Sequence, residues 1–284
     1  MARQKVSEDS NPLGITEQVN PHTQDIDQLP LRGVLERVLE EDAHVPQAVR
    51  DALPQIERAA AILLETLEAG GRWFYLGAGT SGRIGLLDAA EISPSYGLDP
   101  ERVQAILAGG PLAMSRAVEG AEDDAEAGVL ELRTRGFCER DALLALSASG
   151  RTPFALGAVE YARSVGARTL ALTCTPESAL VRAADVPIVV VVGPEAITGS
   201  TRMKGGLAQK MVLQMLSTSV MVRMGRVRGN LMTELGTHSS KLRERALRNL
   251  MQLSGQDRSA AERALDEAQG SVSAALAHLQ NPPG

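Results

Sequence analysis

The chain has 284 residues, 44% of them hydrophobic, 23% charged and only 2% aromatic, with a formal net charge of −6. That length holds one sizeable core and a small appendage, while the acidic balance and the scarcity of rings exclude a basic, base-stacking platform for nucleic acid. Cys138 and Cys174 lie far apart with no CxxC and no paired His spacing, and no stretch nears about 18 uninterrupted apolar residues, so neither a disulfide or metal framework nor a membrane span is expected.

Residues 1–30 are polar and carry Asn11-Pro12, Asn20-Pro21 and Leu29-Pro30, the pattern of an extended arm with turns rather than a packed element. The start, MARQKVSEDSNP, has no apolar h-region, which points to a soluble protein that is not exported and to a cytoplasmic location. Helical spacing begins with Leu31, Val34, Leu35, Val38 and Leu39. A second stripe runs through Val49, Leu53, Ile56, Ala60, Leu63 and Leu67 and ends at Gly70-Gly71.

Strand-like runs at 72–76, 103–107, 142–146, 168–173 and 187–192 then alternate with helical patterns at 81–91, 111–133 (continuous or broken), 153–165 and 177–184. This alternation predicts an α/β fold on a parallel sheet, and the continuous apolar run Val186–Val192 predicts a strand buried on both faces. A long helix follows over Gly205–Met224. Past Asn230 the pattern predicts three short amphipathic helices, Arg243–Leu253, Ser259–Ala268 and Ser271–Leu279, with Ser259 and Ser271 as N-caps, Gly255 and Gly270 as breaks, and no chemistry of their own.

The chemistry concentrates in turns. After the first strand comes Gly77-Ala78-Gly79-Thr80-Ser81-Gly82, opening a helix. Glycines let backbone N–H groups approach an anion, the helix N-terminus adds partial positive charge, and Thr80 and Ser81 donate hydrogen bonds. The letters match G-x-G-x-x-G, but a dinucleotide site wants an acidic residue at the end of the second strand. Here Asp99 and Glu101 precede that strand, and it ends in Ala-Gly-Gly, so a phosphate monoester is the better reading. Ser147-Ala148-Ser149-Gly150-Arg151-Thr152 repeats the strand, hydroxyl-rich turn and helix, and two such turns at one sheet edge would cradle one anion from two sides. A third candidate is the segment Gly193–Lys204, where Glu195, Ser200, Arg202 and Lys204 precede the long helix.

Two carboxylates complete the set. Glu91 falls about three helical turns beyond the glycine turn, and Glu122 lies in the acidic run Glu119–Asp124 behind a predicted helix. A pair whose environments differ can divide acid and base duties around a bound sugar phosphate. The histidines His22, His44, His238 and His278 are scattered and read as surface residues; no Ser-His-Asp order competes.

Together GAGTSGR, DAAE, AVEGAED, SASGRTP, GPEAITGSTRMKGGLAQK and the N-terminal TEQVNPHTQDIDQL resemble the N-acetylmuramic acid 6-phosphate etherases of the sugar isomerase (SIS) superfamily, from about Ile15 through Lys241. The GPE…SxRMK segment is shared with the glucokinase regulatory protein. The resemblance implies an SIS-type five-stranded parallel sheet over residues 31–235 with preceding helices, an arm at 1–30, and a ubiquitin-associated-like helical appendage at 236–284. It implies a cofactor-free, metal-free homodimer with sites near the subunit interface. The implied lyase cleaves the D-lactyl ether of N-acetylmuramate 6-phosphate to N-acetylglucosamine 6-phosphate and D-lactate, in cell-wall amino-sugar recycling. Matched by position, Glu91 is the implied proton donor and Glu122 the base. Gly79, Thr80, Ser81, Gly82, Ser147, Ser149, Gly150, Thr152, Glu195, Ser200, Arg202 and Lys204 are the implied substrate and phosphate contacts.

The chain departs from the family where DASECPP is usual, reading Asp88-Ala89-Ala90-Glu91-Ile92-Ser93-Pro94, and where TNxKL is usual, with Ser239 in place of the Asn. Two other readings use the same cradle: an aldose–ketose phosphosugar isomerase with a single base, and a non-catalytic sugar-phosphate-sensing regulator. The carboxylate pair favours elimination over the first, and a regulator would be expected to carry extra partner-binding sequence.

Overall fold

The computed structural model of the protein describes residues 14–237 and 239–280. The expectations for the first thirteen residues, including the Asn11-Pro12 turn, and for His238 lie outside the described residues.

Three helices lead into the sheet: α1 (Leu31–Asp42), α2 (Val45–Asp51) and α3 (Leu53–Glu68). The second apolar stripe is therefore cut at Ala52. Pro54 brings no N–H to continue the helix before it, but fits the first turn of a new one, as Pro46 does in α2. The α/β unit follows as β1 (Trp73–Gly77), α4 (Gly79–Tyr96), β2 (Val103–Leu107), α5 (Ala125–Thr134), β3 (Ala142–Leu146), α6 (Pro153–Ser164), β4 (Arg168–Thr173), α7 (Ala179–Ala183), β5 (Val186–Val189) and α8 (Lys204–Arg223).

The strands form one parallel sheet in the order β2-β1-β3-β4-β5. The strand period of two sends Trp73, Tyr75, Leu144 and Leu146 to a core with Leu63, Val212, Leu213 and Leu216. It sends Phe74, Leu76, Leu143 and Ala145 to a second core with Leu132, Phe154, Ala158 and Val159. Each Leu, Val or Phe among them contributes about 1.5–3 kcal/mol when fully buried.

Three expectations are corrected. The run Val186–Val192 is not buried on both faces, because β5 is an edge strand paired only with β4, and Val191 beyond it is 45% exposed. The pattern at 111–133 is a short 3₁₀ turn, Gly110–Met114, then turns, then α5, so the acidic run precedes a helix instead of following one. Asp124 caps that helix, accepting from the Ala127 N–H at 2.9 Å. The arm, over its described residues 14–30, is packed: Thr16, Asn20 and Thr23 are buried, since Asn20 Nδ2 finds Glu41 Oε2 at 2.7 Å and the Pro194 carbonyl at 3.2 Å.

Beyond α8, the two-residue strands β6 (Val227–Arg228) and β7 (Leu231–Met232) make a small hairpin. Helices α9 (Ser240–Ser254), α10 (Arg258–Glu267) and α11 (Val272–Gln280) then close around their own core of Leu235, Leu247, Leu250, Leu265 and Leu276. Ser271 caps α11 as expected, accepting from the Ala274 N–H at 3.2 Å. Asp257 rather than Ser259 caps α10, because its carboxylate reaches the Ala260 N–H at 2.8 Å.

Candidate active site

In a sheet of this order the connections run in opposite directions from β1 and β3, which leaves a crevice beyond their carboxyl ends. The two hydroxyl-rich turns issue from these strands, whose last residues, Gly77 and Leu146, are register partners. The start of α8 packs against both. A methyl group placed on Gly206 would lie 3.3 Å from Thr80 Cγ2, and one on Gly205 3.3 Å from Ala148 Cβ.

At the first turn the glycines divide their work. Gly79 has φ +52° with open space above it, which only glycine enters without strain. The first-turn N–H groups of Gly79, Thr80 and Ser81 have no acceptor within α4. Gly82, expected to contact an anion, is a packing residue: its N–H donates to the Ala78 carbonyl at 3.1 Å, and a methyl there would lie 2.3 Å from the Gly77 oxygen.

The second turn presents hydroxyls. Ser147 Oγ lies 2.8 Å from Thr152 Oγ1 and 3.4 Å from Ser149 Oγ. Gly150, also expected as a contact, donates its N–H to Ser147 Oγ at 3.0 Å, and a methyl at its Cα would strike Ser178 Oγ.

Glu122 is delivered by close packing of α5 on α6. Methyl groups on Gly128 and Gly157 would lie 2.3 and 2.6 Å from the Phe154 and Ala125 carbonyls, so only glycine permits this approach. The Phe154 N–H, an orphan donor at the start of α6, then takes the Glu122 carbonyl at 3.0 Å. Glu122, Glu119 and Gly79 line one cleft of about 190 Å³ with Arg83, whose guanidinium ties the cleft wall by donating to the Ala113 carbonyl at 2.7 Å.

Glu91 is not brought to that cleft. It is exposed on α4, twelve residues past Gly79 or about 18 Å along the axis, with the 49%-exposed Leu87 one turn before it on the same face. Sequence reasoning missed what holds α4 there. Asp88 is buried, accepting from Tyr75 OH at 2.7 Å and Ser217 Oγ at 3.3 Å. Burial pushes its carboxyl above the usual range despite these donors. The spacing in DAAE does not announce this, since Asp88 lies only three residues before Glu91, yet the first is buried and the second exposed.

The segment before α8 keeps less for a ligand than its composition promised. Glu195 is fully buried and caps α8, its oxygens accepting from the Lys204 and Gly205 N–H groups at 2.8 and 2.9 Å. Burial raises its pKa more than those N–H groups lower it. Lys204 is buried too, with Nζ 2.5 Å from Glu41 Oε2. Burial alone would raise the Glu41 pKa, but the hydrogen bonds from Lys204 and Asn20 hold it below the usual range. The helix start and its lysine thus serve internal carboxylates in this structure. Arg202 is exposed, and it and Ser200 stay available on the loop.

Among the described residues no group of three His, Cys, Asp or Glu side chains could hold a metal ion, and no helix is long and apolar enough to cross a membrane.

Comparison with known proteins places this site in context. The profile of the glucokinase regulatory protein N-terminal SIS domain matches residues 55–163, and that of the SIS domain matches residues 123–222. An N-acetylmuramic acid 6-phosphate etherase of Aeromonas hydrophila subsp. hydrophila is 48% identical over 262 residues, covering 92% of this chain and 88% of that protein. One of Symbiobacterium thermophilum is 50% identical over 255 residues, covering 90% and 85%. Among solved structures, a phosphoheptose isomerase from Francisella tularensis shares the fold at 21% identity, with a TM-score of 0.52 over 69% of this chain and all of that one.

Proposed function

Because the chain belongs to the N-acetylmuramic acid 6-phosphate etherase family, we propose that it breaks the D-lactyl ether of that sugar phosphate with Glu122 as base and Glu91 as acid. It is a carbon–oxygen lyase. The observation that supports Glu122 is the cleft it lines together with Gly79, at the start of the phosphate turn.

The free N–H groups of Gly79, Thr80 and Ser81, the hydroxyls of Thr80, Ser81, Ser147, Ser149 and Thr152, and Arg202 with Ser200 bind the 6-phosphate. With the sugar in its open-chain form, the C1 aldehyde acidifies the C2 proton, and Glu122 removes it. The electron pair moves into the C2–C3 bond as the C3–oxygen bond breaks, and Glu91 gives a proton to the departing lactate oxygen. Water then adds at C3 and a proton returns to C2, giving N-acetylglucosamine 6-phosphate and D-lactate.

The distance of Glu91 from the turn in one chain supports a homodimer in which Glu91 of a partner subunit completes the cleft. Leu31, Leu35 and Leu39 form a stripe on α1 that is 78%, 63% and 70% exposed. Surfaces of this kind mark association sites. The substrate class and the reduced, widely separated cysteines are consistent with the cytoplasm.

The test is D-lactate release from N-acetylmuramic acid 6-phosphate in water enriched in ¹⁸O. Lactate release with the heavy oxygen at C3 of the sugar product is expected. Tight binding without lactate would instead indicate a sensor. For the cradle, Ser81→Ala and Ser149→Ala should each weaken sugar-phosphate binding, measured by calorimetry. A hydrogen bond to a charged group is worth about 1.5–3 kcal/mol, or roughly ten- to hundredfold in Kd. Unchanged affinity in both variants would move the phosphate elsewhere.

A further inference from the structure

The helix that carries Glu91 is weakest beside that residue. Pro94 lies inside α4. Having no N–H, it leaves the Ala90 carbonyl without its helical partner, and its ring crowds the turn containing Glu91. The helix then ends at Gly97 in the left-handed conformation, φ +61°, its N–H donating to the Ser93 carbonyl at 2.8 Å. The remaining carbonyls of this last turn are orphans that need outside donors.

Those donors come from the segment after α8. The Arg226 guanidinium donates to the Tyr96 carbonyl at 2.7 Å, and the Gly236 N–H donates to the Pro94 carbonyl at 3.3 Å. The Glu234 carbonyl lies so close to Gly97 that a methyl group there would be 2.1 Å from it. The same segment is anchored in the C-terminal bundle. Asn249 Nδ2 donates to the Met232 carbonyl at 2.9 Å, the Ser273 N–H donates to the Thr233 carbonyl at 3.2 Å, and Leu235 is buried in the bundle core.

We propose that the C-terminal three-helix bundle is a brace for the reaction: through Arg226 and the Gly97 contact, it holds the Pro94-weakened end of α4 so that Glu91 stays in register to protonate the leaving lactate. Asp88 anchors the helix three residues before Glu91, and the brace anchors it three to six residues after. Arg226 and Gly97 are positioning residues that do not touch substrate. The inference rests on the assignment of Glu91 as acid and Glu122 as base, and gives a role to an appendage that carries no chemistry of its own.

The full-length protein is assayed with N-acetylmuramic acid 6-phosphate in D₂O, following deuterium entry at C2 and D-lactate release separately. Arg226→Gln and Gly97→Ala are expected to slow lactate release roughly ten- to hundredfold, the scale of a small misplacement of a reacting group, while C2 exchange stays within about twofold. Arg226→Lys, which keeps a cationic donor on a long side chain where glutamine has a shorter neutral one, is expected to recover part of the loss. Should Arg226→Gln fail to fold by circular dichroism, Gly97→Ala and Arg226→Lys carry the comparison. The brace is overturned if the two rates fall together or if neither changes. Glu91→Gln, run alongside, separates the causes. If it releases lactate normally, the acid assignment has failed and the brace with it; if it is inactive while Arg226→Gln is normal, only the brace has.

Discussion

Glu122→Gln is expected to lose both deuterium exchange at C2 and lactate release, each by roughly 10²–10⁴-fold, the usual contribution of a positioned general base. Glutamine keeps the shape and the backbone contact that seats the residue, the Glu122 carbonyl accepting from the Phe154 N–H at 3.0 Å. What it loses is the capacity to take a proton. Removal of the C2 proton precedes every later bond change, so no partial reaction should survive. Substrate affinity should change little, because the phosphate turns are untouched. Proton NMR of the C2 position in D₂O, read beside a coupled lactate assay, checks this. Normal exchange in the variant would move the base elsewhere in the cleft, with Glu119 next to be tested.

Glu91→Gln is expected to behave differently. Lactate release should fall by a similar 10²–10⁴-fold, because the departing alkoxide then lacks its proton donor. Exchange at C2 should persist, since Glu122 can still remove the proton and return one from solvent. This separation of the two rates is the sharpest discriminator between elimination by two carboxylates and isomerisation by one. If exchange and lactate release vanish together, Glu91 acts before or during deprotonation, and the assignment of a separate acid is wrong. Mixing Glu91→Gln with Glu122→Gln protomers adds a dimer test. If each site takes Glu91 from the partner subunit, mixed dimers contain one intact site and regain activity neither variant has.

Much of the fold was legible because burial has a period. Tyr75 and Phe74 alternate between two cores as a strand requires, and the strand–helix alternation left a parallel sheet as the natural solution. The turns were legible because glycine and hydroxyl residues have few other reasons to gather after a strand. What composition could not reveal is which polar groups are already engaged. Glu195 looked like a substrate contact and Lys204 like a ligand for an anion, yet each is buried against a group from elsewhere in the chain: the N-terminus of α8 and Glu41. Glu41 lies 163 residues away from Lys204, and no local pattern announces such a pair. Gly82 and Gly150 match a binding motif by letter, but the carbonyl and hydroxyl crowding their Cα atoms make them packing glycines.

The sequence by itself determined the parallel sheet, the two hydroxyl-rich turns and, through motif order, the family. These rest on local periodicity and on the backbone freedom of a few residues, which neighbouring letters encode. The tertiary structure alone decided that Glu122 shares a cleft with Gly79, that Glu91 lies three turns away on an exposed face, and that the C-terminal bundle clasps the helix end beyond it. The reason is physical: a side chain's chemistry is local, but its availability depends on whether a distant donor, acceptor or counter-charge has already reached it.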